Sequence, residues 1–283
     1  MRRTLYRIAI AAVGSLIAVG PVAADVLDKI RETASIRIGV RADAPPFSYM
    51  ERAGQPQGLA VALCRRVVDY LATAMDLPTI DIEYVPVNAR SRFDALTRGQ
   101  TDLHCGPASA TLKRRVELDF SVLYFVDGAA AVVRPATYQT VFDIADGKIG
   151  VAAGTTTEQM VRNLVNRNGL DATIVTFPSH QLGLETLARA KIDAYFGDSA
   201  IMRFQIVNRE LDSKLELLPE TFSFEPYALV MKRGESALRL AVDRALSKVY
   251  DSGEIYNLIK DEMGDYRLSP LNRAVYQIVG LPG

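Results

Sequence analysis

Histidine and cysteine are scarce here: 283 residues hold only two of each. Neither pair has Cys-x-x-Cys or His-x-x-x-His spacing, so His104 and His180 do not mark a zinc site and no metal is expected. The chain also lacks a Gly-x-Ser-x-Gly elbow, a phosphate-binding P-loop and the glycine fingerprint of dinucleotide sites. Acyl-transfer, nucleotide and hydride chemistry are left without a motif, and no cofactor is expected. Internal repeats and low-complexity tracts are missing, and the composition is that of an ordinary globular chain. Charge shows no excess of either sign, with 33 Lys+Arg against 33 Asp+Glu, which makes nucleic acid and anionic membrane poor partners.

No apolar run is long enough to span a bilayer. The best, residues 8–19, falls short of the roughly 20 residues a spanning helix needs. It follows Arg2, Arg3 and Arg7, breaks at Gly20-Pro21, and has Val22 and Ala24 at small-residue cleavage positions. That is the pattern of a secretory signal peptide, with cleavage expected between Ala24 and Asp25. No cysteine follows the run, so a lipid anchor of the bacterial lipoprotein kind is not indicated. Removing residues 1–24 takes away three arginines and no acid, leaving 30 cations against 33 anions. The remaining chain is of a size that usually divides into two domains.

In a chain that leaves the cytosol, Cys64 and Cys105 favour pairing. Cys64 falls on the apolar face of the predicted helix VALCRRVVDYLATAM, with Val61, Val68, Leu71 and Met75. Cys105 ends a strand expected to pack beneath that helix; two separate buried thiols are the alternative.

From Ile36 onward, strand and helix patterns alternate. Ile36, Ile38 and Val40 alternate on a strand; the cysteine helix follows, then IDIEYVPV, the helical RFDALTRGQ and the strand TDLHCG. This βαβ succession predicts a largely parallel sheet with ligands at the carboxyl ends of its strands, where Arg41 and the turn at Gly106 stand. A second such unit begins near Thr137 with IGVAAG, TTTEQMVRNLVNRNG, ATIVTFP, HQLGLETLARAK and IDAYFGD. GAAAVVRPAT leads out to it and FSFEPYALVMK leads back, both read as short extended segments. After Tyr227 the pattern gives a strand and two helices that return to the first unit. The expected division is one lobe of residues 25–133 and 226–283 and a second of 134–225, with a double crossing that serves as a hinge.

Residues 99–125 concentrate the chemistry. A short strand breaks into a glycine and hydroxyl-rich turn at 106–111, and Lys113, Arg114 and Arg115 occupy the next helical turn. Strand-end amides, the hydroxyls of Ser109 and Thr111 and a helix N-terminus suit an anion, though a solvated cationic face gives the same pattern. Gly154, Thr155, Thr156 and Thr157 form a glycine turn feeding a helix; one threonine caps it, with Glu158 or Gln159 completing the box. Asp198, Arg41, Arg92 and His180 have plain readings too: Asp198 and His180 as helix caps, the arginines as solvated element ends.

Ser109, Thr111, Arg114 and then Asp119-Phe120-Ser121 resemble the signature of periplasmic amino-acid-binding proteins that serve ABC importers, the extracellular solute-binding proteins of family 3. The resemblance covers nearly the whole chain after residue 30 and is nearest to the glutamate/aspartate branch. It implies an α/β fold of the two-lobed, type II periplasmic-binding-protein class, each lobe a mainly parallel sheet flanked by helices, joined by two hinge strands. It further implies a periplasmic monomer, not an enzyme, that binds an amino acid and works with the permease subunits of an ABC importer. Carried over by position, Arg114 and Ser109 grip the α-carboxylate, Asp198 the α-ammonium, and Thr156 also contacts ligand. Arg41, Arg92 and His180 match positions that read the side chain. Relatives carry cysteines at both matching places, which implies a Cys64–Cys105 disulfide.

Departures from the family pattern are Ala44-Pro45 in place of a stacking aromatic, Ala89 and Pro107 in place of small polar residues, and the run 58–63, GLAVAL, in place of GFDVDL. An α-amino acid needs one cation and one anion, so Arg41 and Arg92 are left over and argue for glutamate or aspartate. An amide remains open if either arginine pairs with a protein acid such as Asp43. Two rivals share the fold: a dehydratase of the cyclohexadienyl type using His180 and Asp198, and a sensory receptor docking to a membrane partner.

Overall fold

The computed structural model of the chain describes residues 25–51, 54–138 and 140–282; the expected signal peptide, residues 1–24, lies outside them. The first unit runs α1 (Val26–Thr33), β1 (Ser35–Arg41), β2 (Asp43–Ala44), β3 (Ser48–Met50), β4 (Pro56–Gln57), α2 (Leu59–Ala74), β5 (Asp81–Val87), α3 (Arg92–Thr97) and β6 (Leu103–Cys105). After the long strand β7 (Leu118–Val133) come β8 (Lys148–Ala152), α4 (Thr156–Asn168), β9 (Thr173–Phe177), α5 (His180–Ala188), β10 (Ala194–Asp198), α6 (Ser199–Asn208) and β11 (Glu216–Leu217). The chain returns through β12 (Ser223–Lys232) and ends in α7 (Ser236–Asp251), α8 (Glu254–Met263) and α9 (Pro270–Val279).

The main sheet has the order β5-β1-β6-β12-β7-β10-β8-β9, with β11 pairing β7 at one side. At one end β1 is parallel to β5 and β6; at the other β8 is parallel to β9 and β10. Between these parallel sets lie β12 and β7, antiparallel to each other. The sequence pattern suggested short connectors here. Instead β7 is 16 residues long: Leu118 to Ala129 pair with β12, and Ala129 to Val133 pair with β10. One strand thus carries backbone hydrogen bonding from the first unit into the second. Its pattern explains the length, because Ala129–Val133 are all buried and a strand covered on both faces reads as an unbroken apolar run.

Packing around α2 follows from composition. Leu59, Ala60, Val61, Leu63, Cys64, Val67 and Leu71 are buried, so the first turn is covered all round and a stripe through Arg66, Asp69 and Thr73 is exposed. Its start requires glycine: Gly58 has φ 112°, and a Cβ there would lie 2.5 Å from the Phe47 carbonyl carbon. Cys64 and Cys105 form the disulfide, with Cα atoms 6.2 Å apart, tying α2 to β6 beneath it.

The C-terminal region departs from expectation. Three helices rather than two follow β12, the third being α9. Ser269 caps it, Pro270 pre-sets its first turn, and Val275 and Tyr276 are buried. Its Asn272 amide accepts from the Val126 N–H at 2.7 Å and donates to the Val126 carbonyl at 2.9 Å, while Tyr276 donates to the Tyr124 carbonyl at 3.0 Å. A side-chain amide here satisfies strand groups in the middle of β7.

Candidate functional site

The expected anion turn forms, though not on an α-helix. Arg114–Val116 is a single 3-10 turn, so no helix dipole acts there. What holds Arg114 is local: Thr111 Oγ1 accepts its backbone N–H at 3.2 Å, and its Nη1 donates to the Ser109 carbonyl at 2.8 Å. Phe93 lies between two cations, with the Arg92 and Arg114 guanidinium carbons 4.4 Å and 4.8 Å from its ring centre. Such contacts hold cations at an apolar wall without neutralising them.

Arg41 and Arg92 are each 2% exposed, so neither is a solvated element end. They differ in their partners. Arg41 Nε donates to Asp43 Oδ1 at 3.0 Å, and its Nη2 forms an ion pair with the same oxygen at 2.9 Å. Arg92 donates Nη1 to the Ala89 carbonyl, and its Nε has no acceptor. No acid lies within ion-pair distance of Arg92 among the described residues, and its pKa is pushed well down by burial, then by Arg114 and Arg41. A guanidinium keeps its proton in proteins, so this unfavourable charge persists until an anion meets it. Of the two arginines that the sequence leaves over, the fold neutralises one.

His180 opens α5 but does not cap it; Ser179 accepts from the Leu182 N–H at 3.3 Å instead. Burial first, and then the Arg41 charge, push the His180 imidazole down to about 4, so at neutral pH it carries one ring proton. Its Nδ1 lies 3.1 Å from the Tyr195 hydroxyl, which burial keeps protonated. When Tyr195 donates to Nδ1 the imidazole proton sits on Nε2, and when Tyr195 accepts it sits on Nδ1.

In the GTTTEQ stretch, Thr155 caps α4 by accepting from the Glu158 N–H at 3.0 Å, which frees Thr156. The turn offers an anion fewer amides than its glycine suggests, since Glu158 already accepts the Gly154 N–H at 2.8 Å. Asp198 occupies the N-cap position of α6 without capping it. It accepts from Thr157 at 2.8 Å and from the Tyr227 hydroxyl. The capping is done from β7: Asp127 accepts from the Ala200 N–H at 3.1 Å and from the Ser199 hydroxyl at 2.7 Å. Asp127 and Asp198 lie close enough to feel each other's charge. Burial and that proximity push Asp127 up to about 7, while burial and Glu225 push Asp198 up to about 6.

Ser109 and Thr156 come from different units and stand 3.5 Å apart, oxygen to oxygen. Both donate to one carboxylate, that of Glu225 on β12: Thr156 at 2.6 Å, and Ser109 in a short contact. Ser223 donates to its other oxygen at 2.6 Å. Arg41, Arg92, Ser109, Arg114, Thr156, His180 and Asp198 therefore lie near one another between the parallel sets of strands, the charged groups close enough to act on each other. Glu225, Tyr227, Asp127 and Phe93 join them. Nothing in the sequence singled these four out: Glu225, Tyr227 and Asp127 come together through the pairing of β7 and β12, and Phe93 through the way α3 sets its ring against Arg114. Among the described residues no cluster of metal-ligating side chains occurs, and no helix is long and apolar enough to cross a membrane.

The family described as bacterial extracellular solute-binding proteins, family 3, matches residues 36–265. An L-glutamate/L-aspartate-binding protein of Pseudomonas aeruginosa is 28% identical over 248 residues, 86% of this chain and 82% of its own. A glutamate/glutamine/aspartate/asparagine-binding protein of Rhodobacter capsulatus is 26% identical over 275 residues, 96% of this chain and 80% of its own. Among solved structures, an ancestral arginine-binding protein bound to arginine superposes with TM-score 0.74 at 24% identity, covering 82% of this chain and 99% of its own. That last likeness speaks for the two-lobed fold.

Proposed function

The chain belongs to the bacterial extracellular solute-binding proteins of family 3, and from that premise we propose that it is the amino-acid-binding component of an ABC importer, with an acidic amino acid as ligand. The relatives named for glutamate and aspartate support this reading. The protein works in the periplasm after loss of residues 1–24, as a monomer that docks to permease subunits and binds its ligand without converting it. Residues 25–133 with 226–283 form one lobe and 134–225 the other, and the β7 and β12 crossings form the hinge between them.

Arg114 and Ser109 take the α-carboxylate, Thr156 approaches it from the second lobe, and Asp198 takes the α-ammonium. The observation that carries the choice of ligand is Arg92, a buried cation with no acid partner among the described residues and an Nε without an acceptor. A side-chain carboxylate supplies both the charge and the acceptor. Arg41, already paired with Asp43, positions the pocket wall, and neutral His180, accepting from Tyr195, donates from Nε2.

Calorimetry tests this. Glutamate or aspartate is expected to bind at least about tenfold more tightly than its amide, roughly 1.4 kcal/mol. Arg92→Ala should remove most of that gap. The same substitution leaves the ligand-free protein no less stable, because an unpaired buried charge disappears with it. Equal affinity for acid and amide, or a gap that survives Arg92→Ala, would sink the acidic reading.

The Asp198 carboxyl gives a signed pH dependence. Held up to about 6 by burial and Glu225, it must ionise fully to hold an ammonium, and the ammonium then pulls its pKa down. The bound state carries fewer protons, so affinity rises with pH through that region and binding near pH 6 releases protons. Calorimetry in buffers of different ionisation enthalpy reads this directly. Proton uptake on binding would contradict the role given to Asp198.

A further inference from the structure

Glu225 is a buried carboxylate that the proposed binding scheme does not use, and its position conflicts with that scheme. It is 3% exposed and has no cation within ion-pair distance among the described residues. Its oxygens accept instead from Ser109, Thr156 and Ser223. A hydroxyl has one proton, so while these contacts stand, Ser109 and Thr156 have none to give an incoming carboxylate. An α-carboxylate entering beside Arg114 also meets a second negative charge: Arg114 already feels the Glu225 anion more than any other.

We propose that Glu225 is an internal competitor for the α-carboxylate: it binds the cradle hydroxyls of both lobes, holds the lobes together, and must turn out before an amino acid can take its place. This rests on the reading of Ser109 and Thr156 as carboxylate donors. Three features support it. The bridge spans the cleft, since Ser109 belongs to the turn after β6 and Thr156 to the first turn of α4. Its carrier is β12, one of the two strands that link the units, so the carboxylate stands at the hinge and reaches both sides. The exit is short: Ser223, on the same face of β12 as Glu225, is only half-buried, so a rotated Glu225 reaches water beside it. Its function is to set the selectivity threshold. A ligand offering a carboxylate alone exchanges one anion for another, whereas one that also engages Asp198 and Arg92 gains contacts that Glu225 does not make.

The test uses the exported protein with L-glutamate, L-aspartate and L-glutamine as probes. Glu225→Gln keeps the shape and removes the charge, and it is expected to bind its best probe at least about fivefold more tightly than the parent. Small-angle scattering of the ligand-free proteins should show a larger radius of gyration for Glu225→Ala than for the parent. Ser223→Ala, which frees one Glu225 oxygen and leaves the cradle intact, should move both readouts the same way by less, and it serves if the Glu225 variants fail to fold. Unchanged or weaker binding by Glu225→Gln would overturn the proposal, weaker binding by making Glu225 a ligand contact. An unchanged radius of gyration in Glu225→Ala would overturn it as well. Should no amino acid bind any of these proteins, the reading of function fails while the ligand-free scattering still tests the bridge.

Discussion

Arg114→Ala is expected to bind the amino acid at least tenfold more weakly while remaining folded. Removing one partner of a buried charge pair costs roughly 2 to 5 kcal/mol, and each 1.4 kcal/mol is tenfold in Kd. The structural cost is small by comparison. Arg114 gives up a single hydrogen bond to the Ser109 carbonyl and its contact with the Phe93 ring, and no ion pair to it exists among the described residues. Its burial opposes its charge, and the carboxylates of Glu225 and Asp198 only partly offset that. Loss of affinity should therefore exceed loss of stability. Arg114→Lys keeps the charge without the planar fork and should fall between parent and alanine. A folded Arg114→Ala protein that binds like the parent would remove this residue from the site.

Replacing both Cys64 and Cys105 by alanine should lower unfolding stability by about 4 kcal/mol, the chain-entropy value for a loop of this length. The sequence separation is 41, and both residues are fully buried between α2 and β6. Denaturant titration of parent and variant measures the difference as a shift in midpoint. Because β6 runs directly into the turn that carries Ser109 and Arg114, the loosened strand should also weaken binding, though by less than Arg114→Ala does. A midpoint unchanged by the double substitution would show that packing alone holds α2 on the sheet.

Much of the architecture was legible because it is local. Hydrophobic alternation in residues 36–40, the apolar face of α2 and the glycine turn before Thr156 are all properties of neighbouring residues. They placed Cys64 and Cys105 on the right elements. The apolar run that lengthens β7 was visible as well, but its length was misjudged, because only pairing with β12 and then β10 shows where the strand continues. In the tail, no local pattern marks Asn272, and its role depends on Val126 lying against it.

By itself, then, the sequence determined the alternating α/β units, the export signal pattern, the cysteine pair and a set of charged residues at element ends. The tertiary structure decided which of those charges are free. Arg41 and Arg92 have similar local surroundings, yet Arg41 meets Asp43 and Arg92 meets no acid. Asp198 stands where a cap belongs, yet Asp127 caps the helix and leaves Asp198 to Thr157 and Tyr227. Glu225 reads as one acid in an extended segment until β12 is laid between the two units. Side-chain identity and helix or strand periodicity follow from covalent neighbours, but the charge state and availability of a buried group depend on the sum of fields and hydrogen bonds from residues far apart in the chain.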